Sequence, residues 1–380
     1  MTSVRTLMQV AIQDDLILHQ MDVKTAYLHA PIDCELYMEQ PEGFEAKSKT
    51  GEHLVCKLNK SLYGLKQSGR NWNKLLYDHL TENGFVQNDA DHCVYRKESE
   101  NERVILLIWV DDLLIAANNN GSLGDVKEML KRKFKMKDLG ELKHFLGIDF
   151  TQSEGEIKMS QKRHIAKMLE RFGMSECKPR STPCEQKLHF DTEGEVIDST
   201  GYREIVGSLI YIMTCTRPDL SWIVSKLSQH LAEPKQQHWA AAKQLLRYLK
   251  GTIDQELHYK KSEESLKLEG YSDADWAADQ NDRRSTTGYC FSLTENGPVI
   301  SWKSRKQPTV ALSTCEAEYM ALAATTQESM YLVQLLKGVD LNSPHVPVKI
   351  YEDNQGAIAL SKNPVSRQRS KHVDIKYHFV

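Results

Sequence analysis

The chain has 380 residues, enough for two or three domains that each bury a core. Its 49 basic and 52 acidic residues give a formal net charge of −3, so any binding of nucleic acid has to come from local basic clusters. The eight cysteines show neither a Cys-x-x-Cys pair nor zinc spacing, and no run approaches the roughly 18 apolar residues of a membrane span, which predicts a reduced, intracellular protein without a membrane segment.

Helices and strands alternate in the first third of the chain. Residues 3–14 have helical spacing, and Asp14 and Asp15 interrupt the apolar stretch, so no signal peptide is expected. Residues 16–22 resemble a strand, and residues 70–83 have one apolar helical face. Three more segments have strand composition and are expected to form a small sheet against these helices: residues 91–96, 104–110 and 113–118.

Two adjacent carboxylates, Asp111 and Asp112, separate the last two of these strands, which predicts a β-hairpin with both acids at its tip. Like charges there cost free energy unless a cation joins them, and aspartate oxygens suit Mg²⁺. The alternative is a solvated Asp-Asp turn. Asp22 ends the strand of residues 16–22, and on a neighbouring strand it would complete a site for two Mg²⁺ ions about 3.5–4 Å apart, the arrangement that drives displacement at phosphorus.

A basic cluster follows at residues 127–137 (KEMLKRKFKMK), where six basic residues accompany one glutamate. A helix there would bury Val126, Met129, Leu130 and Phe134 and turn the lysines and Arg132 outward. A solvated helix face and a phosphate-binding surface are both compatible with this pattern.

The rest of the chain predicts a helical stretch and then a second sheet. Helical spacing occurs at residues 161–172 and 202–250, with a polar linker at residues 178–199 between them. A long helix is expected after Ser313. Strands are expected at residues 266–271, 288–293, 299–303 and 348–351.

Eleven short motifs along the chain match, in the same order, those of a known protein family. They include MDVKTAYLHAPIDCELYMEQPEGF, SLYGLKQSGRNW and WVDD, and in full they cover residues 21–44, 61–72, 109–112, 137–150, 181–185, 207–220, 245–252, 271–277, 285–291, 312–322 and 351–360. Together they resemble the reverse transcriptase and ribonuclease H region of Ty1/copia-type retrotransposon Pol polyproteins. The likeness covers nearly all of the chain.

The resemblance implies an α+β multidomain fold, with a reverse transcriptase palm and thumb followed by a ribonuclease H-like α/β domain. The expected domains are residues 1–150 (palm, with the family's fingers missing), 151–260 (thumb and connection) and 261–380 (ribonuclease H-like, incomplete at its C-terminal end). Asp374 is a weak candidate for the family's fourth ribonuclease H acid. It could equally cap a helix or form an ion pair near Lys371 and His372.

For the polymerase, the resemblance implies that Asp22, Asp111 and Asp112 bind the catalytic metal ions. Tyr27 matches the aromatic residue that contacts the sugar of the incoming nucleotide and excludes a 2′-hydroxyl, although it could be an ordinary packed aromatic. Gln67 matches a residue that borders the nucleotide pocket, or it could be a helix-capping group. Trp109 stands where the family more often has tyrosine, and altered primer contact is expected.

For the ribonuclease H, the resemblance implies that Asp273, a helix glutamate and Asp353 gather two metal ions that activate water. Glu316 and Glu318 both fit the helix position. Ser313 and Glu316 fit a capping box, in which the glutamate bonds to the N-cap amide, so Glu318 is left for the metal, as the family likeness also implies. Asp275 is interpreted as a turn residue beside the site, with metal contact as the alternative.

The expected function is therefore RNA-directed DNA polymerase and hybrid-cleaving ribonuclease H, with Mg²⁺ (or Mn²⁺) as cofactor. The implied partners are an RNA template, a DNA primer, an RNA–DNA hybrid and dNTPs, with integrase and protease segments encoded upstream. Localisation in a cytoplasmic particle or the nucleus follows by analogy alone. The alternatives are an inactive element remnant that at most binds nucleic acid and a host protein that uses the fold as a scaffold.

Overall fold

The structure, a computed structural model, describes residues 1–185, 188–191, 193–339, 347–362 and 377. It is a mixed α/β protein with several sheets. The chain divides into two compact units, Leu16–Leu142 and the combination of Met1–Asp15 with Lys143–Val380. The functional boundaries near residues 150 and 260 stay predictions. Within the described residues, no helix combines the length and apolar character needed to span a bilayer.

The first helix, α1 (Thr2–Gln13), belongs to the larger unit. The smaller unit contains β1 (Ile17–Val23), β2 (Tyr37–Met38), β3 (Cys56–Lys57), α2 (Ser68–Glu82), β4 (Val86–Gln87), β5 (Val94–Glu98), β6 (Arg103–Trp109), β7 (Asp112–Ala117), α3 (Asn120–Lys133) and β8 (Met136–Glu141). Six of these strands form an antiparallel sheet in the order β4-β5-β6-β7-β1-β8. The strands predicted for this region and the helix predicted at residues 70–83 are confirmed, with bounds shifted by a few residues.

The core of the smaller unit lies between this sheet and α2 and α3. Trp72 and Leu76 of α2 pack in one cluster with Leu130 of α3 and with alternate residues of the strands, such as Leu106 and Ile115. Each such side chain contributes about 1.5–3 kcal/mol when fully buried. The neighbouring residues in β6 and β7 are buried as well, which explains why both strands are continuous apolar runs without polar alternation.

The basic cluster differs from its prediction. The helix ends at Lys133, and a strand begins at Met136, so a single helix over residues 127–137 is wrong. The prediction that the lysines turn outward is wrong for Lys127, which is buried. Its Nζ donates to Asp138 Oδ1 at 2.9 Å and lies 2.7 Å from His19 Nδ1. A carboxylate from β8 therefore compensates the buried charge on the apolar side of α3.

The larger unit adds two four-stranded sheets and most of the helices. Its further elements are β9 (His144–Phe145), β10 (Ile148–Ser153), β11 (Glu156–Ser160), α4 (Lys162–Arg171), α5 (Ser199–Cys215), α6 (Ser221–Ser228), α7 (Gln236–Gly251), β12 (Leu257–Lys260), β13 (Glu269–Ala274), β14 (Thr286–Ser292), β15 (Val299–Lys306), α8 (Thr314–Lys337), β16 (Lys349–Tyr351) and α9 (Gln355–Lys362). The strand orders are β12-β11-β10-β9 and β15-β14-β13-β16. In the second sheet β16 runs parallel to β13, and the other pairs are antiparallel.

Helices α4 to α7 share one apolar cluster, to which Leu169, Leu209, Val224 and Leu246 contribute. Phe190 from the predicted linker is buried in the same cluster, so this polar segment is anchored by one aromatic side chain. The predicted helices of this region and the long helix after Ser313 are confirmed. The strand predicted at residues 266–271 is Glu269–Ala274, three residues later, and it therefore includes Asp273.

Candidate active sites

The first candidate site lies where β1 pairs with β7 in the smaller unit. The register places Asp22 directly opposite Asp112, and the Val23 amide donates to the Asp111 carbonyl at 2.8 Å. Residues directly opposite in an antiparallel pair project to the same face, with Cβ atoms about 4.5–5.5 Å apart. The backbone therefore brings all three predicted polymerase acids to one end of the sheet, and each of the three is partly buried.

The turn that carries these acids differs from the prediction in one respect. Trp109 pairs with Asp112, so the two turn residues are Val110 and Asp111, and Asp112 is the first residue of β7. Only Asp111 lies at the tip. Val110 has a φ of 59°, a left-handed conformation that is strained for a β-branched residue.

A tryptophan that the sequence did not assign to the site holds this turn. The indole nitrogen of Trp72 donates to the Val110 carbonyl at 2.7 Å. The ring is buried and meets Phe134 edge-on, with centroids 5.1 Å apart. A tryptophan on a predicted apolar helix face needs a partner for its N–H, which was the only sequence signal for this role.

The side chains of the three polymerase acids do not form a group with all ligand atoms within 4.8 Å of one another. Among the described residues, the set of at least three metal-ligating side chains with ligand atoms all within 4.8 Å of one another is Asp273, Glu318 and Asp353. Asp22, Asp111 and Asp112 are absent from any such set. Rotation of these side chains on a fixed backbone can bring them closer, because the Cβ atoms of opposite residues are near each other.

Tyr27 and Gln67, the predicted nucleotide-binding residues, lie on different elements. Tyr27 lines a cavity of about 210 Å³ beside Trp109 and Val110, and its ring centroid is 4.7 Å from that of Tyr63. Burial and the nearby charge of Asp111 raise the pKa of Tyr63. This second tyrosine therefore lies close to Asp111. Tyr27 is partly buried, so neither interpretation of it is excluded.

Gln67 occupies the N-cap position of α2, as the capping alternative predicted. Its side chain, however, makes no capping hydrogen bond. The amide nitrogen Nε2 instead donates to Cys34 Sγ at 3.3 Å. Its role beside a nucleotide stays a prediction.

The second candidate site lies in the larger unit, at one end of β13 and β16. These strands are parallel, with Tyr271 opposite Tyr351, so Asp273 and Asp353 both lie two residues further along the same direction. Glu318 comes from the start of α8, which packs on β13. The structure therefore brings together the three predicted ribonuclease H acids, with ligand atoms within 4.8 Å of one another.

The competition between Glu316 and Glu318 is resolved by their hydrogen bonds. Ser313 is the N-cap of α8, and its side chain accepts from the Glu316 amide at 3.1 Å. The Glu316 carboxylate accepts from the Leu312 amide at 2.7 Å, so the predicted capping box is correct except that the bond goes to the residue before the N-cap. Glu316 thus has a structural role, and Glu318 belongs to the acidic group.

Glu318 is the buried member of that group, with 7% of its surface exposed, whereas Asp273 and Asp353 are exposed. Burial, together with the charges of Glu352 and Asp273, raises the pKa of Glu318 to about 8. Its Oε2 is buried and accepts no hydrogen bond. A buried carboxylate beside other acids is costly unless a cation compensates it, and carboxylate oxygens are ligands that Mg²⁺ prefers. The donor set therefore fits a divalent metal ion.

The sequence offers two further candidate acids, Asp275 and Asp374. Asp275 Oδ1 accepts from the Thr286 amide at 2.7 Å and is not in the acidic group, which supports the turn interpretation. Asp374 lies outside the described residues. Sequence reasoning overlooked Glu352, whose carboxylate approaches the same group, because Asp353 beside it already fitted the motif.

Comparison with known proteins gives a consistent family relationship. A family model described as "Reverse transcriptase (RNA-dependent DNA polymerase)" matches residues 1–186. The Retrovirus-related Pol polyprotein from transposon TNT 1-94 of Nicotiana tabacum is 43% identical over 391 residues, covering 100% of this chain and 29% of the relative. The one from transposon RE2 of Arabidopsis thaliana is 39% identical over 381 residues, covering 100% and 26%.

The match to a shorter relative covers the whole length of that relative. A protein of Saccharomyces cerevisiae named for transposon Ty5-1 is 35% identical over 312 residues, which are 81% of this chain and 100% of the relative. By contrast, the chain spans less than a third of each of the two Pol polyproteins named above.

Proposed function

Because this chain belongs to the family of Ty1/copia-type retrotransposon Pol proteins, we propose that it is a reverse transcriptase with an associated ribonuclease H. The observation that carries the polymerase proposal is the pairing of Asp22 with Asp112 beside the Asp111 carbonyl. Three carboxylates at the end of the apolar strands β6 and β7 are a donor set that suits divalent cations.

In this proposal Asp22, Asp111 and Asp112 hold divalent ions, Mg²⁺ or Mn²⁺. Bound there, such ions would supply charge stabilisation to the attacking and leaving oxygens of an in-line displacement. Tyr27 would contact the sugar of a deoxynucleotide, and Gln67 would border the nucleotide pocket. Trp72 would keep the turn of Val110 and Asp111 in place through its 2.7 Å hydrogen bond.

Primer extension on an RNA template with Mg²⁺ tests the polymerase proposal. Asp112→Asn should abolish incorporation, because an amide is a weaker ligand for a hard cation than a carboxylate. Asp125→Asn, on an exposed position of α3 in the same unit, is the matched control and should leave incorporation unchanged. Absence of template-dependent incorporation by the unaltered chain, or full incorporation by the Asp112 variant, would overturn the proposal.

A second activity, cleavage of RNA in an RNA–DNA hybrid, is favoured by the group of Asp273, Glu318 and Asp353. Glu318→Gln should abolish cleavage of a labelled hybrid. Asp275→Asn should retain it, since Asp275 accepts a hydrogen bond from the Thr286 amide and an asparagine oxygen can do the same. Cleavage that survives Glu318→Gln would sink this assignment. Asp112→Asn should leave hybrid cleavage intact, which separates the two sites.

The proposed partners follow from these two activities. They are an RNA template, a DNA primer, the RNA–DNA hybrid that results, and dNTPs. The smaller unit would supply the palm, and the second sheet with α8 would supply the ribonuclease H-like domain. Integrase and protease segments would belong to the same polyprotein, given that each Pol relative is more than three times as long as this chain.

A further inference from the structure

Tyr63 is an exposed tyrosine beside Tyr27, and the sequence motifs implied no role for it. The centroids of the two rings lie 4.7 Å apart, and the ring planes are tilted by 48°. This distance is within the range of about 4.5–7 Å that is typical of an attractive aromatic pair. Tyr63 is 56% exposed, whereas Tyr27 is partly buried. Tyr63 therefore covers part of the Tyr27 ring and itself borders solvent.

The backbone before Tyr63 is attached to the turn that carries Tyr27. That turn is a short 3₁₀ helix, Ala26–His29. The carbonyl of the next residue, Ala30, accepts a hydrogen bond from the Ser61 amide at 2.9 Å. Two segments that are distant in sequence are thus joined within two or three residues of each tyrosine, which brings the two rings together.

The same segment is also attached to α2. The Leu62 carbonyl accepts a hydrogen bond from the Ser68 hydroxyl at 2.5 Å, in the first turn of that helix. Ser61 and Ser68 are both buried. A buried polar group that loses its partner costs free energy, so both bonds should persist. The residues directly before Tyr63 are therefore fixed on two sides, and its ring stays beside Tyr27.

Tyr27 has open space on another side. Together with Trp109 and Val110 it lines the cavity of about 210 Å³ beside the hairpin. Near its hydroxyl lies Gly69, where an added Cβ atom would still be 3.9 Å from the tyrosine oxygen. A side chain next to a cavity can change its rotamer unless a neighbour on another side restrains it. The ring of Tyr63 supplies such a restraint.

We propose that Tyr63 is a positioning residue for sugar selection, because its ring holds the Tyr27 ring where Tyr27 excludes a 2′-hydroxyl. Exclusion by contact requires a ring that does not yield, since a ring that rotates aside leaves room for the extra oxygen atom. The proposal rests on the proposed polymerase function and on Tyr27 as the sugar contact. It adds a second tyrosine, which acts through the first and not on the nucleotide itself.

Single-turnover incorporation of dATP and of ATP opposite the same template uridine tests this on the 380-residue chain. The measured quantity is the ratio of the two incorporation efficiencies. Tyr63→Leu should lower this preference for dATP on the order of fivefold, through faster ATP incorporation, because it removes the aromatic contact and keeps apolar bulk. Tyr63→Phe retains the ring and should retain the preference. Tyr37→Leu is the matched control, because Tyr37 is 55% exposed on β2 of the same unit, and it should not change the ratio.

A double variant separates positioning through Tyr27 from a general structural effect. Tyr27→Val should lower the preference for dATP more than Tyr63→Leu does, since it removes the excluding ring itself. If Tyr63 acts through Tyr27, adding Tyr63→Leu to Tyr27→Val should cause no further loss. A further loss in the double variant would mean that Tyr63 acts independently of Tyr27 and would contradict the proposal.

The remaining outcomes distinguish this proposal from the proposed function. An unchanged ratio in Tyr63→Leu, together with a lowered ratio in Tyr27→Val, would overturn the role of Tyr63 and leave the proposed function standing. An unchanged ratio in Tyr27→Val would overturn the sugar contact of Tyr27 and, with it, the role of Tyr63. Absence of dATP incorporation by the parent would overturn the polymerase function itself.

Discussion

The indole of Trp72 donates a 2.7 Å hydrogen bond to the carbonyl of Val110, the residue directly before Asp111 and Asp112. A buried side chain of α2 thus stabilises the left-handed conformation of Val110, which a β-branched residue rarely adopts. The packing of α2 on the sheet is in this way connected to the position of the hairpin acids.

Trp72→Phe should reduce the rate of nucleotide incorporation by about tenfold or more, because a small displacement of catalytic groups is costly. The loss of this hydrogen bond should cost the fold only about 1 kcal/mol, since Val110 is an exposed residue and water can bond to its carbonyl instead. Single-turnover primer extension and urea unfolding measure the two effects. Tyr77→Phe, on the same helix, is the control, and hybrid cleavage should be unaffected in both variants. Equal rates in the two variants would refute the role of Trp72.

The two glutamates at the start of α8 provide a matched pair. Glu316→Ala should lower the free energy of unfolding by about 1 kcal/mol, because the Leu312 amide loses its partner, and hybrid cleavage should persist. Glu318→Gln should not destabilise the metal-free fold, because a neutral amide replaces a carboxyl that its pKa of about 8 keeps mostly protonated at neutral pH, yet cleavage should be lost. Cleavage and chemical denaturation are compared in the same preparations. A reversed pattern would exchange the two roles.

Much of the fold could be predicted because helix and strand periodicity reflect burial directly. The apolar runs on both sides of Asp111 and Asp112 became β6 and β7, and the long helix after Ser313 became α8. The position of Asp22 opposite Asp112 also agrees with the expectation of a third acid on a neighbouring strand. These features are local, or they follow from a motif with a known arrangement.

The features that could not be predicted depend on contacts between segments far apart in sequence. In the sequence Lys127 is one of several lysines in a basic cluster. Its burial depends on Asp138 and His19, which lie on strands that the sequence does not place beside it. Glu352 resembled an ordinary neighbour of Asp353, and only the folded chain brings its charge close enough to Glu318 to raise the pKa of that carboxyl. Periodicity describes which face of a helix is apolar, but not which charged groups another strand brings to that face.

The basic residues of α3 differ in burial, and exposed and buried ones should have different roles. Arg132 and Lys133 are exposed, so changing both to Ala should weaken binding of a primer–template and lower the slope of log K against log salt by about two. Lys127→Met should instead destabilise the smaller unit by about 1–3 kcal/mol, because Asp138 loses its buried partner, and leave the salt slope unchanged. Fluorescence anisotropy at several salt concentrations measures the slope. An unchanged slope in the double variant would exclude this surface from phosphate contact.

Arg5 anchors α1 within the larger unit through backbone carbonyls. Its guanidinium donates to Ile300, Thr214 and Cys215, at 2.7, 2.6 and 3.1 Å, and it stacks over the Trp302 ring. Burial lowers the pKa of Arg5 to about 10. Arg5→Met should therefore cost about 3 kcal/mol or more, because the carbonyls are left without a donor. Arg5→Lys should recover only part of this, since an ammonium cannot reproduce the planar fork.

Guanidinium unfolding monitored by circular dichroism measures the effect. Arg203 is a matched control, because it also donates to a backbone carbonyl, that of Leu231 at 2.9 Å, but at an exposed position. Arg203→Met should change the free energy of unfolding by no more than about 0.5 kcal/mol. Similar losses in the Arg5 and Arg203 variants would show that burial of the guanidinium is not what makes Arg5 important.

His238 should make the larger unit sensitive to acid. Its Nδ1 accepts from the Lys235 amide at 2.8 Å, and its ring stacks on that of His230 with centroids 3.8 Å apart. Because Nδ1 accepts this hydrogen bond, the neutral ring carries its proton on Nε2, which is buried without a partner, and a second proton on Nδ1 would break the bond to the Lys235 amide. Burial, with His230 and Lys235 nearby, lowers the pKa of His238 to about 4. The unfolded state binds this proton more readily than the folded state. The contribution of the neutral ring to the free energy of unfolding is therefore fully present above about pH 6.5 and is lost as the pH decreases toward 4.

His238→Asn keeps an acceptor near the Lys235 amide and removes the titration. Between pH 6.5 and 4 the free energy of unfolding should therefore fall less steeply in this variant than in the parent, by up to about 1.4 kcal/mol per pH unit. Denaturant unfolding at half-unit pH steps measures both slopes. His53→Asn, at an exposed position of the smaller unit, should follow the parent. If the parent and His238→Asn have parallel slopes over this range, the buried neutral ring is not the source of the acid sensitivity.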